Sequence, residues 1–367
     1  MKIALTIHAL RKGGGGMERS AADLSAAWAG LGHDVTIYAL AGNEAKLPHA
    51  FDPRVGIRAL GLNRPASNKV GAIREILRTM AGVRRALLDA ETDVVVAIGN
   101  QTAVATLAGT LLSGVPVIVA ERTHPAMYHI GRGWKELRQL LYPLAAALVA
   151  QTGDIARWYE THLRARRVYV VPNAVAEAHC QANPEREGRK EVVALGRLDE
   201  IKGFDVLVKL FATLAADYPE WDLCIYGEGP ERARLERLVA EHGLEGRVFL
   251  PGWVEDPQRH LSQGDLFTLT SRTEGFPNAL CEAMACGLPA VVFDCPSGPA
   301  DIIRPGVDGR LVPPGDVERF ARELAELMED ADERQHMGAR AREIVERFSE
   351  ERVTGLWAKL FAEVASS

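Results

Sequence analysis

The sequence predicts two consecutive doubly wound α/β domains, each a parallel sheet sandwiched between helices. Three observations point there. A chain of 367 residues is too long for one ordinary core and suits two. Continuous apolar runs alternate with amphipathic helical stretches from end to end, as expected of parallel strands buried on both faces. A polar break at 176–190, AEAHCQANPEREGRK, has neither helical nor strand period and carries Asn183-Pro184 and Gly188, so it divides the two halves.

The strands expected in the first half are the runs at 2–10, 34–40, 93–99, 116–122 and 168–173. Those of the second half are at 191–198, 221–229, 247–253, 265–271 and 289–294. Helical patterns such as 17–30 and 230–243 follow them, which makes right-handed crossovers. Further helical patterns run through 316–347 and 350–364. The expected domains are 1–178, joined by the last helix in 350–367, and 190–349, with 179–189 as linker. Ligands of such sheets bind where the carboxyl ends of the strands open.

Composition narrows the class. Apolar residues make up 47% and charged residues 25%, the balance of a soluble globular protein. No stretch approaches the roughly 18 apolar residues of a membrane span, and MKIALTIHAL reads as a buried first strand rather than a leader. Five cysteines in no CxxC or Cys/His spacing suggest reduced thiols in a cytoplasmic setting. Residues 1–180 hold 21 basic and 14 acidic side chains, a balance of +7, whereas the remainder carries −13. The basic half suits an anionic partner or surface, unless these are only solvated faces. Its cations cluster at Arg64, Lys69, Arg74, Arg78, Arg84 and Arg85, and from Arg132, Lys135 and Arg138 to Arg157, Arg164, Arg166 and Arg167. Arg74, Arg78 and Arg85 recur at helical spacing among Ile73, Ile76, Leu77, Met80 and Leu87, which predicts an amphipathic helix with a basic face.

Three motifs carry chemistry. RKGGGGMERS (11–20) puts four glycines between the first strand and a helix, where bare backbone approaches a ligand and the helix start favours anions. It is not GxGxxG, so a dinucleotide is not implied, and a plain turn is the other reading. GRLDEIKGFD (196–205) sets Arg197 and Lys202 at the carboxyl end of a strand, where two cations suit a diphosphate and its developing charge. SRTEGFPNALCEAMACGLPAVV (271–292) is the most specific. Glu274 and Gly275 end a strand-to-helix loop, Pro277 opens the helix, and the amides of Asn278, Ala279 and Leu280 are expected to face a phosphate. Glu282 follows eight residues after Glu274, and carboxylates in this setting accept sugar hydroxyls.

The pattern E-G-F-P-x-x-x-x-E-A-M-A-C-G-L-P resembles the family-4 retaining glycosyltransferases of the GT-B fold. The glycine loop, LGHDVTIY (31–38), VPNAV (171–175), GRLDEIKG and PGVDGRLVPPGD (305–316) extend the resemblance over nearly the whole chain. It implies a nucleotide-sugar donor, UDP-linked by preference, and two Rossmann-like domains facing across a cleft. It gives Arg197 and Lys202 to the donor diphosphate, Glu274 to the sugar and Glu282 to the ribose. The amides of 278–280 would hold phosphate, with Gly275 and Phe276 in the same loop. Val254, in the segment 251–254, would lie beside the base, and Gly14, Gly15 and Gly16 would close over the diphosphate. His124, or Thr123 one residue earlier, would meet the sugar, and Glu121 and Arg122 are further candidates there. DCPSGPADII (294–303) resembles a subgroup that transfers hexoses or N-acetylhexosamines in bacterial surface-polysaccharide assembly. The implied acceptor is a glycan or a lipid-linked glycan, in the cytoplasm or at the anionic inner face of the membrane. No cofactor, metal or nucleic acid is expected, and the sequence has no DxD pair in a cation-binding setting. A sugar-nucleotide epimerase and a non-catalytic nucleotide-sugar-binding subunit are the rival readings.

Overall fold

The computed structural model describes residues 1–10, 16–42, 51–62, 69–127, 130–165, 167–183 and 188–366. The chain forms two compact units: Met1–Asn173 with Glu350–Ser367, and Ala174–Ser349.

The first unit runs β1 (Lys2–Ile7), α1 (Gly16–Gly30), β2 (Asp34–Ala39), β3 (Gly56–Ala59), α2 (Lys69–Asp89) and β4 (Val94–Ile98). It continues through α3 (Asn100–Thr110), β5 (Val117–Ala120), α4 (Arg132–Leu141), β6 (Ala147–Ala150), α5 (Gly153–Leu163) and β7 (Val168–Val170). The strands form one parallel sheet in the order β3-β2-β1-β4-β5-β6-β7. Strand alternation fills both faces. Ile3, Leu5 and Ile7 of β1 pack in one core with Trp28, whereas Ala4 joins the opposite core with Val95, Val83 and Leu87. The last helix of the chain, Glu350–Ala365, completes the first core: Trp357 and Phe361 meet Trp28 edge-on at 5.1 and 5.2 Å.

The second unit repeats the plan with β8 (Lys190–Leu195), α6 (Phe204–Leu214), β9 (Trp221–Tyr226), α7 (Arg232–Glu241), β10 (Val248–Gly252), α8 (Pro257–Leu261) and β11 (Leu266–Leu269). It ends with α9 (Asn278–Ala285), β12 (Ala290–Phe293), α10 (Pro299–Ile302), β13 (Gly309–Val312), α11 (Val317–Glu329), α12 (Ala331–Ala341) and α13 (Ile344–Arg347). The sheet order is β10-β9-β8-β11-β12-β13, all parallel. In each sheet the chain starts in the middle, winds one way and then the other. The reversal falls beside β1 in the first sheet and between β8 and β11 in the second.

Two strands of the first unit escaped the sequence reading. β3 is a four-residue edge strand with alternate residues exposed, so it never forms an apolar run. β6, ALVA, lies in the alanine-rich stretch 145–150, whose residues favour helix. The expected linker is also corrected. Residues from Ala174 onward belong to the second unit, because Val175 is buried there and its amide donates to the Phe348 carbonyl. Ala182 donates to the Cys286 carbonyl, and His179 binds both Asp256 and Gln258.

Glycine matters most where backbones touch. Gly227, at φ 139, sits so close to the loop after β8 that an added Cβ would lie 1.9 Å from the Gly196 carbonyl oxygen. Gly355, in the last helix, has nothing within 4 Å of such a position. Gly227→Ala is expected to cost about 2 kcal/mol or more and lower the melting temperature of its unit by roughly 4–8 °C. Gly355→Ala is expected to stabilise by about 0.5–1 kcal/mol. Calorimetry of the two variants checks the opposite signs.

Candidate functional site

The candidate site of the second unit lies at the reversal point, where the loops after β8 and β11 meet. After β8, the buried Leu198 anchors the loop. Asp199 then caps the 3-10 turn Glu200–Lys202 by accepting from the Lys202 amide at 3.2 Å. Gly203 follows at φ 66 and lets the chain enter α6. This turn aims Lys202 back across the sheet end. Its Nζ donates to Oε1 of Glu274 at 2.7 Å, and the Ser271 hydroxyl donates to the same oxygen at 2.6 Å. Arg197 stays in solvent, its side chain 72% exposed and its Nε 3.9 Å from Asp199.

The loop after β11 is held from behind by the loop after β12. The Glu274 amide and the Thr273 hydroxyl both donate to the Pro296 carbonyl, at 2.9 and 2.7 Å. The Ser297 hydroxyl donates to the Gly275 carbonyl at 3.2 Å. Behind them, burial first and then the Glu274 charge push the Cys295 thiol up to about 12. That makes Cys295 a packing residue and not a nucleophile. Helix α9 starts at Asn278 with Pro277 as its cap residue and no side-chain cap. Glu282 is half-buried one turn further on, and Val254 is half-buried in the loop after β10.

The structure therefore brings Lys202 and Glu274 together, with Arg197 on the same loop as Lys202. It corrects two expectations. The Leu280 amide is not open to a ligand, because it donates to the Pro277 carbonyl at 3.1 Å. Phe276 is a core residue that packs edge-on against Phe348 at 5.5 Å. Gly14 and Gly15 lie outside the described residues, and Gly16 is the first residue of α1. Ser271, Asp199 and Pro296 escaped the sequence reading. The one available signal was a Ser and a Thr just ahead of Glu274, residues that often bond nearby backbone or acids.

The first unit gathers polar side chains at the carboxyl ends of β4, β5, β6 and β7. Glu121 is fully buried, 3.7 Å from Arg138 and within 3.3 and 3.4 Å of the Tyr142 and Tyr159 hydroxyls. Burial dominates the opposing pull of Arg138 and raises its carboxyl to about 7. Arg122 donates to Asn173 at 3.0 Å, and burial pulls its guanidinium down to about 10. Among the described residues its Nε and Nη2 have no partner. His124 differs from expectation. It is 5% exposed, its Nδ1 accepts from the Ala126 amide at 3.2 Å, and its Nε2 faces Asp154 at 3.3 Å. Burial lowers its pKa. Both ring nitrogens are thus used inside the unit, and it is Thr123 that is exposed.

Two parallel α/β units in tandem, each opening its strand ends at a reversal point, make a glycosyltransferase architecture of the GT-B class. Residues 15–174 match the family model for a glycosyl transferase 4-like domain, and residues 175–344 match that for glycosyl transferases group 1. By this domain content the chain belongs to the GT-B glycosyltransferases. It is 35% identical over 289 residues, 77% of its length, to an exopolysaccharide phosphotransferase of Streptomyces coelicolor. It is 36% identical over 157 residues, 42% of its length, to a lipopolysaccharide 1,6-galactosyltransferase of Salmonella typhimurium. The matches span 30% and 44% of those two proteins. The fold is also that of S. aureus TarM, solved with fondaparinux, alpha-GlcNAc-glycerol and UDP. That match has a TM-score of 0.81 at 15% identity and covers 98% of this chain and 99% of the other.

The buried Glu121 carries a pH signature. Below about pH 4.5 its carboxyl is neutral whether the chain is folded or not. Between there and about 7 the unfolded chain releases the proton while the folded unit keeps it, so stability falls as pH rises; above 7 the loss is complete. The loss amounts to roughly 3 kcal/mol. Urea midpoints at pH 5, 6, 7 and 8 are expected to show this slope in the wild type and a flatter one in Glu121→Gln. An unchanged slope would place the titration elsewhere.

Proposed function

We propose that the protein is a retaining, metal-independent glycosyltransferase of family 4. It would transfer a hexose or N-acetylhexosamine from a UDP-sugar to a glycan or lipid-linked acceptor in bacterial surface-polysaccharide assembly. The observation that carries this reading is the Lys202–Glu274 contact at the reversal point, beside Arg197 and the uncapped start of α9. Lys202 and Arg197 supply positive charge where a leaving diphosphate gains negative charge, and the first amides of α9 add their dipoles. Glu274 accepts a sugar hydroxyl, held in place by Ser271, and Glu282 accepts from the ribose. Of the two first-unit candidates for a sugar contact, Thr123 is the exposed one, and His124 positions its loop. The UDP preference draws support from the UDP in the TarM structure. The two cations do the charge work that a metal would do.

Ligand and turnover measurements test this together. UDP at 100 times its dissociation constant is expected to stabilise the fold by about 2.7 kcal/mol. Arg197→Ala and Lys202→Ala are expected to keep the fold but to lower kcat by about two to three orders of magnitude. Excess EDTA should leave turnover intact. The product decides between this activity and the phosphotransfer named for the Streptomyces relative. Glycosyl transfer releases UDP, whereas transfer of a sugar phosphate releases UMP, so UMP as the only product overturns the proposal.

The same reading puts the enzyme at the inner face of the membrane, although no helix of the described residues is long and apolar enough to cross one. Arg74, Arg78 and Arg85 are all exposed on α2, and Arg132 and Lys135 on α4. Each such cation is worth roughly 1 kcal/mol near an anionic leaflet. Co-sedimentation with vesicles is expected to need anionic lipid, to fade at high salt, and to weaken in the triple Arg74, Arg78 and Arg85 to Glu variant. A protein that stays in the supernatant at low salt has no such docking face.

A further inference from the structure

Between α2 and α4 the first unit holds an apolar groove of about 240 Å³, floored by α3. Ala105 and Ala108 form the floor, Ile76 and Met80 one wall, and Trp134 and Leu137 the other. The lining follows helical spacing on all three helices, so the groove is a feature of their packing and not of one loop. Its floor is fixed. Gly109 brings α3 so close to α2 that an added Cβ would lie 2.8 Å from the Met80 carbonyl, and Arg84 donates to the carbonyls of Gly109 and Leu111.

We infer that this groove holds the hydrocarbon tail of a phosphate-headed lipid acceptor, an inference that rests on the reading of the first unit as the acceptor side. Four observations select this occupant. The lining is almost wholly hydrocarbon, which suits an alkyl or prenyl chain and not a peptide, whose backbone groups would lose their hydrogen bonds there. Leucines next to lining positions are left in solvent: Leu77, beside Ile76, is 58% exposed, and Leu140, beside Leu141, is 68% exposed. Singly they would mean little, but here they border an open apolar surface. Exposed cations stand toward the starts of the two wall helices, Arg74 on α2 and Arg132 and Lys135 on α4, and complement an anionic head. Finally, the groove has a direction. His8, after β1, and Gln101 and Thr102, at the start of α3, line the end at the sheet's carboxyl edge, and Leu111 lines the other, about 15 Å away along α3. A tail lying along α3 therefore leaves its head on the edge that carries Glu121 and Thr123.

The test is a fluorescence titration of the full chain with farnesyl diphosphate, with Trp134→Phe to assign the signal to the groove and inorganic diphosphate as the head alone. Saturable binding is expected, with little competition from inorganic diphosphate. Ala108→Phe, which fills the floor, should weaken it at least tenfold. Leu140→Asp, at an exposed position that folding does not need, should weaken it several-fold and decides the matter if Ala108→Phe fails to fold. Both variants should keep the wild-type thermal shift with UDP. Wild-type affinity in Leu140→Asp and in folded Ala108→Phe, or full competition by inorganic diphosphate, overturns the inference while a UDP shift leaves the donor reading standing. Groove-dependent binding without any UDP shift does the reverse.

Discussion

The ion pair between Lys202 and Glu274 ties together the two loops on either side of the strand-order reversal, and much of the second unit is arranged around it. The Thr270 hydroxyl donates to the carbonyls of Lys202 and Gly203, and Pro296 and Ser297 brace the Glu274 loop from the next strand. Three loops are thereby locked to one another by short polar contacts. Such a part-buried pair adds little net stability, because much of the attraction offsets desolvation. Its consequence is positional. A cation is kept at the mouth of the sheet with its partner beside it, so its charge is already in place and little reorganisation would be needed to meet an anion.

The first unit applies the same winding to different ends. Its strand ends carry a neutral-leaning Glu121 among tyrosines, a buried Arg122 and a histidine whose two ring nitrogens meet Ala126 and Asp154. This is a buried polar layer next to the exposed Thr123. The contrast with the exposed Arg197 is physical. On the proposed function, cations open to solvent suit a charged leaving group, whereas buried polar groups suit a surface that takes an uncharged hydroxyl.

The fold was legible because parallel strands buried on both faces leave repeated apolar runs between amphipathic helical stretches, and β1, β4, β9, β11 and β12 all sit inside the expected runs. The second-unit motif was legible because a cation loop and an acid loop recur at fixed distances from those strand ends. What stayed hidden depends on tertiary contacts. Leu280 looked like a free amide because sequence gives no hint of a carbonyl such as that of Pro277 turning inward. His124 looked like a ligand because its burial is decided by Trp158, 6.4 Å away edge-on, and by Asp154, thirty residues on. The groove over α3 had no signature either. Its lining comes from three helices and two strand ends, and the basic face of α2 was the only part that one helix could announce.

Net charge alone would argue against the diphosphate site proposed for the second unit. Residues 174–349 hold 20 basic and 33 acidic side chains, so the second unit is strongly anionic. Many of those acids are neutralised locally. Glu228 and Glu236 pair with Arg232, Glu323 and Glu333 with Arg310, and Asp308 and Glu343 with Arg304. Unpaired acids more than about 8 Å away across water are screened at physiological salt. A phosphate oxygen about 4 Å from an ammonium gains roughly 4 kcal/mol at an effective dielectric near 20, more than distant surface charges can oppose. The loop that places Lys202 and Arg197 can therefore favour an anion despite the sign of the domain that carries it.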